Sequence, residues 1–98
     1  MKLTERQKKH LRGLAHSLKP LVSMGDKGMT DAFLQELNTT LDHHELIKVK
    51  LQEGCLSDRK EVAEELSQAT KSAVAQILGK TILLYRPNKE QKIKLPKS

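Results

Sequence analysis

The apolar residues of this chain change their spacing repeatedly, and these changes limit what the chain can fold into. Leu11, Leu14 and Leu18 recur at the three- and four-residue spacing of a helix with one buried side. Between residues 46 and 52 the spacing becomes an alternation, which is typical of a strand with one buried and one solvent-exposed side. A chain that alternates between the two periods is expected to form an α/β domain in which helices cover a sheet.

Local start and stop signals divide the chain into seven predicted elements in the order αβαβαββ. Thr4 and Gln7 can form a capping box at the start of the first helix, and Pro20 prevents its continuation. The segment 74–78 could continue the third helix or begin a strand, and the glycine that follows it favours the strand of a hairpin. The predicted elements are a helix from about Glu5 to Ser17, a strand at 21–24, a helix capped by Thr30 and ending near His43, a strand at 46–52, a helix at 58–70 with a second capping box of Asp58 and Glu61, and a hairpin at 73–85.

The predicted helices and the long strand each carry one apolar side for a core. Strand–helix–strand units imply right-handed parallel crossovers, and the final hairpin adds an antiparallel edge. The sequence therefore predicts a compact single α/β domain over residues 1–98 with a four-stranded mixed sheet, and a polar, basic tail from about residue 89, mobile at its end. The expected core residues are Leu11, Leu14, Leu18, Leu34, Leu37 and Leu41 with Phe33 at the edge, Val62, Ala63, Leu66 and Ala69, and Ile47, Val49 and Leu51, while Lys48, Lys50 and Gln52 face solvent.

Length and cysteine content favour an intracellular protein. A chain of 98 residues suits one compact domain. Its single cysteine, Cys55, cannot form an intrachain disulfide, which fits a reducing compartment. No apolar run reaches the length of a membrane helix, and no early apolar stretch resembles a signal peptide. We therefore expect a cytoplasmic protein with no membrane partner.

The formal net charge of +6 is unevenly distributed along the chain. Residues 1–20 carry a net +5 and residues 71–98 a net +6, whereas residues 30–70 carry a net −5. This segregation is expected of a protein that binds a polyanion, if folding gathers the two ends on one side, although it could also be plain solubilising charge. With only one Phe, one Tyr and no Trp, the chain lacks the aromatic platform on which many RNA-binding modules stack bases, so contacts to phosphates, sugars and overall shape are expected.

The first candidate binding feature is the sequence Gly25-Asp26-Lys27-Gly28, which lies between a predicted strand and a predicted helix. Two glycines let the backbone turn sharply, and the amides at the start of the helix favour an anion such as a backbone phosphate. Lys27 adds a positive charge, whereas the carboxylate of Asp26 opposes an anion. A tight strand-to-helix turn with no ligand is the alternative interpretation, because a GxxG pattern alone is weak.

The second candidate feature is the basic side of the first predicted helix, which could follow a sugar-phosphate backbone. Only Glu5 offsets its charge locally, which weakens the alternative interpretation of a merely solvated helix face. The basic residues on this side are Lys8, Lys9, Arg12, His16 and Lys19.

No pattern in the sequence predicts an enzyme, a cofactor or a metal site. Cys55 has no obvious neighbouring base, and a buried or idle thiol is expected there rather than a nucleophile. His43 and His44 are adjacent and would diverge by about 100° on a helix, so they do not form a metal site by themselves. Neither a phosphate-binding loop that ends in Gly-Lys-Ser/Thr nor a dinucleotide fingerprint is present.

Six stretches spread over nearly the whole chain form one recognisable pattern: QKKHLRGLAH at 7–16, LKPLV at 18–22, GDKGMT at 25–30, HHELIKVK at 43–50, GK at 79–80 and LYRP at 84–87. Together they resemble the CRM domain, the chloroplast RNA splicing and ribosome maturation module, and most of all its bacterial stand-alone, YhbY-type form. The pattern is far more specific than GxxG alone.

The resemblance implies a fold similar to the C-terminal domain of bacterial translation initiation factor three. It also implies an RNA-binding protein that associates with precursors of the large ribosomal subunit, the plant relatives acting in group II intron splicing. In the family the GxxG loop and the neighbouring basic surface are thought to contact RNA. Carried onto this chain, these sites correspond to Gly25, Lys27 and Gly28 of the loop, to Lys9, Arg12 and Lys19 of the first helix, and to Arg86, which either faces RNA or pairs with an acid of the fold.

The resulting expectation is a monomeric protein that binds structured ribosomal RNA in ribosome biogenesis and has no catalytic activity. The alternative is a protein-interaction module that docks its acidic middle on a ribosomal protein or assembly factor.

Overall fold

A computed structural model describes residues 2–25, 27–52 and 58–97 of the chain. The predicted loop around Cys55 lies outside the described residues. Within them, the predicted order αβαβαββ is confirmed: α1 Glu5–Ala15, β1 Val22–Met24, α2 Asp31–His43, β2 Leu46–Leu51, α3 Arg59–Thr70, β3 Ala73–Leu78 and β4 Thr81–Tyr85. None of the helices in these ranges combines the length and the apolar composition needed to cross a membrane.

The helix starts follow from local hydrogen bonds. The Thr4 hydroxyl accepts from the Gln7 amide at 3.1 Å, and the Gln7 side chain accepts from the Thr4 amide at 3.0 Å, which confirms the first capping box. The Thr30 hydroxyl caps α2 by accepting from the amide three residues on, as predicted. At α3, Asp58 is the cap, but its carboxylate accepts from the Lys60 amide at 2.8 Å rather than forming the predicted box with Glu61.

The four strands form one mixed sheet in the order β1-β2-β4-β3. β1 and β2 are parallel, and β4 is antiparallel to both of its neighbours. The hairpin adds the antiparallel edge that was expected, with β3 at the edge, and the strand order, which the sequence left open, places β4 inside the sheet. The reason is that β4 is apolar on both sides, with Ile82, Leu83, Leu84 and Tyr85 all buried, and such a strand needs cover on both faces.

The larger core lies between one face of the sheet and the two helices α2 and α3. Phe33, predicted at the edge of α2, belongs to this core. Ala69, predicted in the core, is exposed, and Thr70 is buried instead. The Thr70 hydroxyl tolerates burial because it donates a hydrogen bond to the Leu66 carbonyl at 2.7 Å. The other buried members are Val22, Met24, Leu37, Leu41, Ile47, Val49, Leu51, Val62, Ala63, Leu66, Ile82 and Leu84.

A smaller core lies on the opposite face of the sheet, where α1 buries Leu11 and Ala15. Leu14 lies outside the buried stripe and is 42% exposed. The outer side of β2, expected to face solvent, is partly covered by α1: Leu46 is buried in this core and Lys48 is half-buried. Only Lys50 on that side of β2 is exposed, because α1 ends before reaching it. Leu83, Tyr85 and Ala75 complete this core.

The basic tail packs against α1 although its residues form neither helix nor strand. Ile93 and Leu95 are half-buried against the smaller core, and the Gln7 side chain donates to the Pro96 carbonyl at 2.9 Å. The tail is also held by Glu45, which is 3% exposed and accepts from the Lys92 amide at 2.6 Å. The prediction of a polar tail overlooked these two apolar side chains, which alternate as in an extended segment lying on a core.

Tyr85 offers a direct test of the smaller core, because it is the only tyrosine of a chain that has no tryptophan. Burial, and secondarily the nearby Glu45 carboxylate, raise the pKa of its phenol above 10.0. We expect the ultraviolet titration of the phenol to have its midpoint above 10 in the native protein and near 10 in urea. A pKa raised by folding contributes stability that is present below the unfolded pKa and is lost as pH rises through the folded pKa. A native midpoint at or below the one in urea would contradict this packing.

Candidate nucleic-acid interface

The sheet separates most of the exposed acids of the protein from most of its bases. The helices α2 and α3, on one face, carry six acids and two bases, whereas α1, on the other face, carries four Lys or Arg residues and a single acid. The charge segregation along the sequence thus becomes a segregation across the sheet, with the first helix and the basic tail on one side. The acids of α2 and α3 are Asp31, Glu36, Asp42, Glu61, Glu64 and Glu65, and the bases of α1 are Arg6, Lys8, Lys9 and Arg12.

The packing of α1 determines where Arg12 and His16 lie. Each follows a buried residue of α1, Leu11 or Ala15, and therefore lies about 100° further round the helix, at the border of the buried stripe. There the two side chains line a cleft of about 240 Å³ between α1 and the sheet. Lys48 also lines the cleft, and its ammonium is fixed by donating to the Leu18 carbonyl at 3.0 Å.

Next to the cleft, α1 leaves one row of the sheet uncovered. The strand pairings place Ser23, Lys50, Thr81 and Leu78 side by side, one residue from each strand. They face the side of α1, because their neighbours along the strands point into the larger core. Four strands span roughly 14 Å, so this row is a continuous surface from the cleft to β1. We call it the open row.

The glycine loop lies at the end of β1, beside the open row. The Gly28 amide donates to the Gly25 carbonyl at 3.1 Å, which closes a tight turn, and Gly28 has the positive φ of 71° that glycine adopts easily. A Cβ on Gly25 would stand 3.3 Å from the Gln52 side-chain oxygen, at the end of the neighbouring strand. Asp26 lies outside the described residues.

Some of the backbone amides that were expected to bind an anion donate hydrogen bonds within the loop itself. The Gly28 amide is bonded within the turn, and the Thr30 amide donates to the Gly28 carbonyl at 3.1 Å. Helix geometry leaves the amides of Asp31 and Ala32 without intrahelical acceptors. An anion at this loop would therefore meet the start of α2 and the exposed Lys27 rather than the Gly28 amide.

The N-terminal half of α1 forms a second basic area together with the tail. Lys9 lines an open groove with Arg6, His10 and Lys94. Lys8 is half-buried, and its ammonium lies 3.6 Å from the carboxylate of Glu5, which offsets its charge. Sequence reasoning selected Lys8 and Lys9 but missed the other three bases of this groove.

Apart from Lys8 and Arg86, the predicted basic residues fall into three groups. Arg12 and His16 line the cleft, Lys9 belongs to the groove with the tail, and Lys19 and Lys27 are exposed near the two ends of β1. Lys48 and Lys50 were missed as site residues, although the alternation of the long strand had already placed both on one side. That alternation was the signal that could have found them.

Of the two roles expected for Arg86, facing RNA or pairing with an acid of the fold, its contacts match the second. Its guanidinium donates to the side chain and the carbonyl of Asn38, to the Thr70 carbonyl at 2.7 Å and to the Asp42 carboxylate at 2.8 Å. The side chain is 19% exposed and ties the end of β4 to the ends of α2 and α3, away from α1.

The described residues contain no group of three His, Cys, Asp or Glu side chains placed to hold a metal ion.

Known proteins resemble this chain over nearly its whole length. Residues 3–86 match the family model of the CRS1 / YhbY (CRM) domain. A protein of Haemophilus influenzae named RNA-binding protein is 41% identical over 95 residues, which is 97% of this chain and 96% of that protein. The probable RNA-binding protein YqeI of Bacillus subtilis is 40% identical over 95 residues, with 96% and 99% covered. The solution structure of the hypothetical protein SAV1595 from Staphylococcus aureus has a TM-score of 0.84 and 42% identity, covering 97% of this chain and 100% of that chain.

We expect Arg86→Ala to lower the free energy of unfolding by roughly 2–4 kcal/mol, because it removes a guanidinium that serves two carbonyls, an amide and a carboxylate at once. Arg86→Lys should recover less than half of the lost free energy of unfolding, since a single ammonium cannot replace the planar set of N–H donors of the guanidinium. Urea unfolding followed by circular dichroism measures both. A loss below about 0.5 kcal/mol for the alanine variant would show that the cluster is not a structural anchor.

Proposed function

The chain belongs to the CRS1 / YhbY (CRM) domain family, and from this premise we propose that it binds RNA with the side of the sheet that carries α1. The observation that carries the proposal is the separation of charge by the sheet. Arg12, His16 and Lys48 line the cleft on that side, and Lys50 lies in the open row, which leads from the cleft to β1 and the glycine loop. RNA-binding proteins of this size depend largely on phosphate neutralisation for affinity, and such a surface provides it.

In this proposal the RNA backbone lies across the open row, between α1 and the glycine loop. Lys50 and Lys19 contact phosphates along the path, and Lys27 with the first amides of α2 contacts a phosphate at its end. Because the turn needs a residue with positive φ and no bulk above it, Gly28 keeps the loop open to the approaching backbone. The groove of Arg6, Lys9, His10 and Lys94 extends the basic path toward the tail.

The finer proposal is that the RNA is structured ribosomal RNA and that binding assists assembly of the large ribosomal subunit in the cytoplasm. It rests on the family resemblance and on the shortage of aromatic residues, which favours recognition of backbone and shape over stacking of many bases. One copy of the chain, residues 1–98 as a single domain, carries the complete surface, and binding requires no catalytic step.

A second candidate function is docking on a basic ribosomal protein or assembly factor through the acidic side of the molecule. The observation in its favour is that α2 and α3 expose six acids on the face opposite to α1. The two functions differ in their sensitivity to nuclease, since RNA digestion releases a protein bound only through RNA.

The placement of the RNA on the α1 side is tested by charge-neutral substitutions. We expect Lys9→Gln/Arg12→Gln/Lys19→Gln to weaken binding to a structured ribosomal RNA fragment and to reduce the log–log salt slope by about 0.7–0.9 for each lost phosphate contact. Fluorescence anisotropy at several salt concentrations measures affinity and slope together.

The matched control is Arg59→Gln/Lys60→Gln/Lys71→Gln, which changes net charge equally at exposed positions of α3 and its C-terminal cap, on the face opposite to α1. It should leave the salt slope nearly unchanged. Equal effects of the two triple variants would mean that net charge alone drives binding and would refute the assigned surface.

The contribution of the loop is tested at Gly28. A side chain there meets no atom within 4 Å, so Gly28→Asn and Gly28→Asp should both fold, each losing about 1 kcal/mol for the positive φ. Only the aspartate adds a charge that repels phosphate, so we expect it to weaken RNA binding clearly more than the asparagine. Anisotropy and urea unfolding are measured on the same samples. Equal RNA affinities of the two variants would argue that the loop does not contact the backbone.

A further inference from the structure

We propose that the cleft between α1 and the sheet receives a single unpaired RNA base. This inference rests on the proposed function and deepens it, because it assigns to the RNA a local feature, an extruded nucleotide, that backbone contacts alone would not require. The cleft adjoins the open row, along which we propose that the RNA backbone runs, so a base turned inward from that path enters it directly.

The cleft has an apolar interior and a polar rim. Ala15 and Leu83, both buried members of the smaller core, form its floor, and Pro20 forms part of its wall. A flat heterocycle gains from covering such a floor because apolar surface is removed from water on both sides. Its volume of about 240 Å³ suits one small planar group rather than a peptide segment or a helix.

The polar groups at the rim can hydrogen-bond the edge of a base. Gln76 and Thr81 both line the cleft, and among the described residues neither side chain has a hydrogen-bond partner. The Gln76 amide can donate and accept at once, as the Watson–Crick edge of every base requires. The Lys48 ammonium has three N–H donors, of which one is bonded to the Leu18 carbonyl and two remain for a ligand.

Arg12 and His16 supply the planar partners that the chain otherwise lacks. In proteins that bind unpaired RNA, bases stack on aromatic rings, on histidine and on the guanidinium plane of arginine. Both side chains line the cleft from α1, opposite the sheet, so a base would lie between them and the floor. Arg12 also carries a positive charge toward the phosphate of the extruded nucleotide.

Two other grooves of the molecule are less suited to RNA because they contain acids. Asp42 and Glu90 line the groove beside Pro87, and the buried Glu45 lines the groove between α1 and the tail. Of the described residues, no carboxylate lines the cleft next to Arg12. A phosphate-bearing ligand therefore meets no repulsion there.

The experiment compares two RNA duplexes that differ only in the base of one bulged nucleotide: one carries a purine and the other an abasic residue, with the same number of phosphates. We expect the wild-type protein to bind the purine-bulged duplex about fivefold or more tighter than the abasic one, since a stacked base contributes about that factor at least. Gln76→Leu/Thr81→Val should clearly lower this ratio, because the base loses its hydrogen-bond partners at the rim of the cleft.

The matched control is Gln68→Leu/Thr39→Val, which makes the same chemical changes at exposed positions of α3 and α2. It should keep the ratio of the wild type. A second measurement needs no variant: the methyl resonances of Leu83, on the floor of the cleft, should shift with the purine-bulged duplex and stay in place with the abasic one.

A wild-type ratio near one, or an unchanged ratio in Gln76→Leu/Thr81→Val, would overturn the base-binding cleft and leave the proposed function standing. If neither duplex bound in a salt-dependent way, the proposed function itself would fail. The two failures are therefore distinguishable in one titration series.

Discussion

The contact of Leu11 and Ala15 with the outer face of the sheet is the interaction on which the rest of the basic surface depends. It fixes the rotation of α1 about its axis, and the helical repeat then dictates that Arg12 and His16 lie at the border between helix and sheet. The same contact covers Leu83 and Tyr85 but not Lys50, so it also determines which row of the sheet remains open. One small apolar contact thus positions both the charged groups and the surface between them.

The second constraint is the placement of β4 inside the sheet. A strand that is apolar on both sides needs helices above and below it, and α2 with α3 on one face and α1 on the other supply them. This arrangement puts the acidic helices and the basic helix on opposite sides. The charge pattern of the surface is therefore a consequence of how the core is covered. The helices that cover the core also produce the electrostatic field that attracts a polyanion.

Much of the fold, and part of the candidate site, could be predicted from the sequence. The capping box of Thr4 and Gln7 and the Thr30 cap were read correctly, because such hydrogen bonds join residues three apart. The docking of the tail was missed, since the bond from Gln7 to the Pro96 carbonyl joins residues 89 positions apart. The choice between RNA contact and structural role for Arg86 also stayed open, because its partners lie 16 to 48 positions away.

The sequence by itself determined the elements, the fold class and the existence of a basic first helix beside a glycine turn, because these depend on spacing, capping and backbone freedom within a few residues. Only the tertiary structure decided the strand order, the side of the sheet that α1 covers and the cleft that results. Those features follow from which apolar surfaces bury each other over long separations. That competition involves the whole chain at once, and no local pattern encodes its outcome.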